Sequence, residues 1–489
     1  MAYNVAMAFI RKVKTSSGAT AVQIIHKVHG KIVRINHIGS AHNKEELQIL
    51  LGLARQQLIG SQQSLFASSQ AELKLKIGLK QSFSGLLLKI LTEQYNGLGF
   101  NQLADGDFAS LCLARIVEPT SKLDSLRVLA DLGVLGLNKD RLYRCLIRTV
   151  DQNYRKTIAD LCFSHANSRG LNLVLYDVTT LYFEAQQEDD YRKPGMSKER
   201  RLEPQIIVGL LVDQHGFPLG LHSFEGSIAE TKTILPVMEQ FKSQHDLNDI
   251  TVVTDAAMLS ASNLQALTEA GYHYIVGSRI HKIPYNIVEY QKTGKLSDNQ
   301  IVVTSLENSR IIYQYREKRA ALDIRNIQKQ IAKAEKIILG KTPVKKAKFL
   351  AVKTKEKKLN QTLIDKAYAM AGIKGYVTNL DIPDDQVIAC YHQLFNVEAS
   401  FRMAKSDLKA RPIFHRKRDS IEAHLTIVLA ALAVARTIEK QTELSIRKFI
   451  NTLRPIRSGT IIINGQEYFA EAEIPSATRL LLQKLKTGH

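Results

Sequence analysis

The chain has no tryptophan, 4 cysteines and a shortage of acids, with 47 Asp+Glu against 67 Lys+Arg in 489 residues. Each shortage excludes something. Without an indole, any flat aromatic platform must come from Tyr or Phe. Cys112, Cys145, Cys162 and Cys390 form no CxxC pair, and no His spacing beside them suggests a zinc site. They read as small core residues of a reduced compartment. The first residues, MAYNVAMAFIRKVK, carry no long apolar stretch of the kind a signal peptide needs. The longest apolar run, Leu425 to Ala435, is shorter than the ~18 residues of a membrane span and reads as a buried helix, so no membrane partner is expected. What the shortage of acids leaves is a formal net charge of +20, which favours a polyanionic partner, most simply nucleic acid. The remaining composition, 45% hydrophobic and 23% charged, is that of a globular chain with a large core.

Periodicity divides the chain. Residues 1–43 alternate around the turn signals SSG and HG, which predicts a β-ribbon with basic outer faces. Residues 44–167 are helical in pattern. Within them Ser121 and Asp124 occupy capping-box positions, Gly133 is a stop and Asn138 an N-cap. The two short helices so delimited suit a DNA-binding helix-turn-helix or a packing hairpin equally. Residues 168–278 read as three strands, a helix, a strand, a helix and a strand, a mixed sheet flanked by helices. Residues 279–376 break that pattern with strand-like pieces and a Lys-rich helical stretch, read chiefly as a solvated helical hairpin. A strand at 375–380, GYVTNL, returns to the core, residues 377–440 continue into one long amphipathic helix, and 441–489 form a C-terminal region.

Three acids stand out. Asp177 interrupts the otherwise apolar strand NLVLYDVTTLYFE, Asp255 closes the strand ITVVTD, and Glu398 lies on the late helix. A buried carboxylate costs several kcal/mol unless compensated. An Arg, backbone donors or a helix cap could satisfy any one of them. Three acids arriving on neighbouring elements suit hard cations such as Mg²⁺ or Mn²⁺, which take oxygen ligands and serve phosphoryl displacement. Tyr391, Glu398 and Lys405 recur every seventh residue, on nearly one helix face. Arg402, Lys405, Lys409 and Arg411 follow in RMAKSDLKARP, placing cations beside the carboxylate. The bland alternative for Glu398 is a surface i,i+4 pair with Arg402.

YDVTT, VVTDAAM and YHQLFNVEASFRMAKSDLKARP resemble the DDE transposases of bacterial insertion sequences. They are most similar to the group with a Tyr-x2-Arg-x3-Glu-x6-Lys signature. RIVEPTSKL, GFPLGLHSFEGSIAETKT and RPIFHRKRDSIEAHL extend the likeness over nearly the whole chain. The resemblance implies an α/β, ribonuclease H-like mixed-sheet catalytic domain with an inserted subdomain, preceded by the β-ribbon and a helical domain. It implies a catalytic, metal-binding triad of Asp177, Asp255 and Glu398, and DNA contacts from Tyr391, Arg402, Lys405, Lys409 and Arg411. It also implies Mg²⁺ with Mn²⁺ as a substitute, DNA ends and target DNA as partners, a homodimer in the synaptic complex, and a cytoplasmic, nucleoid-associated location. The signature Arg position is Leu394 here, and the tryptophan on which some relatives hold a flipped base has no counterpart. A nuclease that only hydrolyses, and an inactive DNA-binding relative, are the rival readings.

Overall fold

The computed structural model describes residues 6–15, 18–28, 30–61, 77–184, 188–195, 203–245, 250–256, 260–278, 287–289, 292, 294–343, 347–353 and 356–486. They fall into two compact units, Met1–Leu75 and Lys76–His489. In the first, β1 (Ala6–Lys14), β2 (Thr20–Val28) and β3 (Lys31–Ala41) form an antiparallel sheet in that order. The helix Lys44–Ser61 covers one face, where Val22 and Ile24 meet Leu51 and Ala54. Asn43 starts this helix: its side chain accepts from the Glu46 N–H at 2.8 Å, while Glu46 reaches back to the His42 N–H at 2.7 Å.

The second unit opens with a strand the sequence reading missed, β4 (Ile77–Phe83). Helices Gly85–Gly97, Gly106–Val117, Ser125–Asp131, Lys139–Asp151 and Tyr154–Asn167 follow. Two of the expected signals act as read, whereas the Asp124 carboxylate, expected in a capping box with Ser121, accepts from Thr120 and Arg127 instead. Asn138 caps Lys139–Asp151 by accepting from the Arg141 N–H at 3.0 Å, and Gly133 adopts the left-handed φ of 90°. The pair around that turn packs inward: Leu142, Cys145 and Leu146 are buried against Gly106–Val117 and the long helix Arg418–Thr442.

β5 (Leu173–Tyr182), β6 (Gln205–Asp213), β7 (Pro218–Glu225), β8 (Thr251–Thr254) and β9 (His273–Ser278) match the expected strands. β10 (Ile301–Ser305), β11 (Arg310–Tyr315) and β14 (Ile373–Thr378) join them, whereas β12 (Leu350–Lys353) pairs only with β13 (Glu356–Leu359). The sheet runs β10-β11-β14-β9-β8-β5-β6-β7. β5, β6 and β7 are antiparallel, and β8 and β9 run parallel to β5. This is the mixed, ribonuclease H-like sheet that the resemblance implies. The Lys-rich helix, Glu317–Ile338, lies between β11 and β12 and builds a small core of its own from Ile327, Ala334, Phe349, Ile364 and Ala371. At the C-terminal end β15 (Ser458–Ile463) pairs with β4 and with β16 (Gln466–Ala470).

Helix Arg418–Thr442 is the axis of the unit. It is long and apolar enough to cross a membrane, but 89% of its apolar window is buried inside the protein. Small residues from Ala430 to Ala435 let neighbouring helices and β7 approach it closely. Cys112, Cys145 and Cys162 are buried free thiols, as expected of core residues.

Candidate active site

Asp177 sits half-buried in mid-strand on β5, opposite Leu210 of β6. On its other flank β8 pairs in parallel, with Leu175 opposite Val253. Asp177 lies two residues beyond that pair on β5, and Asp255 two residues beyond it, just past the end of β8. β8 is only four residues long, and its pairing with β5 ends at Leu175 and Val253.

Glu398 arrives on a helix that crosses β5 and β6, Phe395–Arg402. The sequence suggested one long helix here. Instead Asp384–His392 ends, a turn at Gln393 and Leu394 intervenes, and the helix then tightens its contacts before a π-helical stretch, Met403–Asp407. Such stretches re-aim side chains by inserting a residue into the helical turn. The helix is tied to the turn between β6 and β7. Asn396 donates to the Gln214 carbonyl at 2.7 Å, and Ser400 donates to the Gly216 carbonyl at 2.6 Å. Gly216 has φ +80°, and a Cβ there would lie 2.8 Å from the Asn396 carbonyl oxygen, so only glycine permits this approach. Val397 and Phe401 are buried, whereas Glu398 is exposed. Glu398 and Arg402 form no ion pair among the described residues; Arg402 lies 5.8 Å from the Phe395 ring centre instead.

Tyr391, read from the sequence as a DNA contact, is buried at 7% exposure. Its ring packs edge-on to Tyr376 at 4.9 Å, and a Cβ on Gly277 of β9 would fall 2.6 Å from its hydroxyl. Burial, followed by the charges of Asp255 and Glu398, pushes that hydroxyl up to about 12. Lys374 of β14 stands over the Tyr391 ring, its ammonium 4.2 Å from the centroid. Burial and Arg319 draw its pKa down, against the opposing pull of Glu398 and Asp255. Asp255, Glu398, Tyr391 and Lys374 thus share one electrostatic neighbourhood. No sequence signal marked Lys374; its part follows from β14 lying beside β9.

The donor set is carboxylate oxygen throughout, which suits a hard divalent ion. Among the described residues, no three His, Cys, Asp or Glu side chains stand close enough together to ring one ion.

The cations sort by position. Lys405 donates to the hydroxyl of Thr179, two residues beyond Asp177 and on the same face of β5. Arg411 lies over the Tyr182 ring at 5.4 Å, and Ile413 N–H donates to the Tyr182 carbonyl at 3.3 Å, so this segment runs back along the end of β5. Arg402 and Lys409 are exposed. The turn between Lys405 and Arg411 is clamped from below. Arg115 donates to the Leu408 and Lys409 carbonyls at 3.3 Å each, and His424 donates to the Ala410 carbonyl at 3.1 Å. Lys122 points at the remaining His424 nitrogen, at 3.4 Å. Burial first, then the charges of Lys122 and Arg115, hold His424 well below its ordinary pKa, so it is neutral. RIVEPTSKL and RPIFHRKRDSIEAHL, distant in sequence, meet in this clamp.

Residues 168–434 match the family model described as "Transposase DDE domain". No curated protein matches the chain. Among solved structures the chain is similar to the cryo-EM structure of a piggyBac transposase synaptic complex with hairpin DNA. That similarity has 11% identity and a TM-score of 0.41, and covers 78% of this chain and 76% of that one.

Proposed function

Because the chain belongs to the transposase DDE domain family, we propose that it cleaves DNA at insertion-sequence ends by metal-dependent phosphodiester hydrolysis and joins the freed 3′-hydroxyls to target DNA. The observation that supports this reading is the parallel pairing of β5 and β8, which ends two residues before Asp177 and Asp255, with the Glu398 helix laid across β5 and β6. Asp177, Asp255 and Glu398 would hold Mg²⁺, or Mn²⁺ in its place. Bound there, the ion supplies Lewis acidity and charge for both the attacking and the leaving oxygen. Lys405, steadied by Thr179, offsets the charge of a phosphate beside Asp177. Arg402, Lys409 and Arg411 continue the grip along the DNA backbone. Tyr391 acts from inside, packing against Gly277 so that the ends of β8 and of the Glu398 helix keep their spacing. Residues 1–167 recognise the element ends, and two copies act together in the synaptic complex.

The test is a strand-transfer assay in Mg²⁺, with a pre-cut duplex bearing a recessed 3′-hydroxyl and a supercoiled plasmid. Joined product is expected. Nicking without joining would reduce the chain to a nuclease, and binding without nicking to a DNA-binding relative that has lost catalysis.

A further inference from the structure

We infer that the face of the β1-β2-β3 sheet turned away from helix Lys44–Ser61 is a docking surface for double-stranded DNA, with its strands laid in the major groove. The inference deepens the proposed end recognition and rests on the reading of the chain as DNA-acting. Helix Lys44–Ser61 takes one face of the sheet through Val22 and Ile24. The alternate residues of β2, Gln23, Ile25 and Lys27, therefore lie on the other face. The register sets Arg11 and His37 beside Gln23, and Phe9 and Ile35 beside Ile25. Ile25 itself is buried, and Phe9 and Ile35 on either side of it are 39% and 49% exposed, so apolar surface is left open along the two outer strands.

Charge decides what covers it. Residues 1–43 contain no Asp or Glu, and their only formal side-chain charges are Arg11, Lys12, Lys14, Lys27, Lys31 and Arg34. An apolar patch ringed solely by cations complements a polyanion whose groove also offers methyl groups. The side chains are partly ordered for that task. Arg11 donates to the Gln23 side-chain oxygen at 3.1 Å, and the Lys27 ammonium lies 5.4 Å from the Phe9 ring centre. Arg and Gln are the side chains that read guanine and adenine edges, and apolar residues contact the thymine methyl. Two neighbouring strands at ~4.8 Å spacing make a ribbon of the width that a major groove ~12 Å wide admits. Strand readers of this kind exist in both grooves.

The test begins with the full-length chain selecting sequences from a random duplex pool; the recovered duplex is then compared with a random one. Arg11→Ala and Gln23→Ala should each lower the preference for the recovered duplex about tenfold. Lys27→Gln should weaken both duplexes alike and reduce the salt slope by about 1. All three side chains lie away from the covered face, so an unchanged melting temperature will certify folding. Preference and slope unaltered in all three would overturn the inference. So would variants that change only the mass in solution, the mark of a second copy on this face, or a wild-type chain that prefers RNA or binds no duplex. Wild-type binding lost with Arg11→Ala, in a chain that neither nicks nor joins, would sink the proposed activity and leave this surface standing. Nicking retained with unaltered binding in the sheet variants would sink the surface alone.

Discussion

At the scale of single residues, Glu398 and Lys405 share one stretch of helix but are assigned different work. Glu398 is proposed as a ligand, so Glu398→Gln should act on the chemical step and persist at saturating DNA. Lys405, bonded to Thr179, is proposed as a phosphate contact. Lys405→Ala should weaken binding about equally across sequences, reduce the salt slope by about 1, and show a cleavage defect that shrinks as DNA is raised. Single-turnover cleavage against DNA concentration separates them; parallel losses of melting temperature with unchanged salt slopes would mean that the face merely packs. The acids themselves were legible in the sequence because a carboxylate in an apolar strand is conspicuous. Lys374 and Thr179 were not, since a lysine in a short strand and a threonine in a β-rich run are ordinary until the fold brings them to Tyr391 and Lys405. Tyr391 was legible as part of a signature but not as a buried residue, because spacing gives a face and not what covers it.

Among elements, the helix Gly106–Val117 shows how the helical region is fixed. Asp105 caps it, accepting from the Asp107 and Phe108 N–H groups at 3.0 Å, and pairs with Arg148 of Lys139–Asp151 at 2.9 Å. Burial raises the Asp105 carboxyl, but hydrogen bonds from Arg148, the Phe108 N–H and Tyr154 prevail and hold it below the usual carboxylate range. Its folded pKa lies below the unfolded one, so its stabilisation is full above about pH 4 and is lost as the pH falls through the lowered value. Asp105→Asn should cost roughly 1–3 kcal/mol at pH 7. Melting curves should show that deficit narrowing below about pH 4; a deficit independent of pH would contradict the assignment. The sequence carried most elements of the main sheet, since β5 to β9 have apolar runs bounded by turn residues. It did not carry β4. IGLKQSF is largely exposed and pairs with Ser458–Ile463, far along the chain, so no local pattern announces the partner. The break at Gln393 and Leu394 was hidden for another reason: both residues keep right-handed helical angles, and helical spacing runs through it.

For the molecule as a whole, the excess of cations becomes a prediction about salt. Each phosphate neutralised should contribute about −0.9 to the slope of log K against log[salt]. A net charge of +20 therefore calls for a steep slope, measured by fluorescence anisotropy on a duplex; a flat one would assign the charge to something other than DNA. The central claim, that of the proposed function, is that Asp177, Asp255 and Glu398, from three parts of the chain, form a single catalytic centre. The most direct measurement is single-turnover nicking of duplex DNA in Mg²⁺ by Asp177→Asn, Asp255→Asn and Glu398→Gln, with DNA affinity and melting temperature taken on the same samples. Each variant should lose at least about a hundredfold in nicking rate while affinity and melting temperature hold. Near wild-type nicking by any one of the three would contradict the claim and remove that residue from the centre.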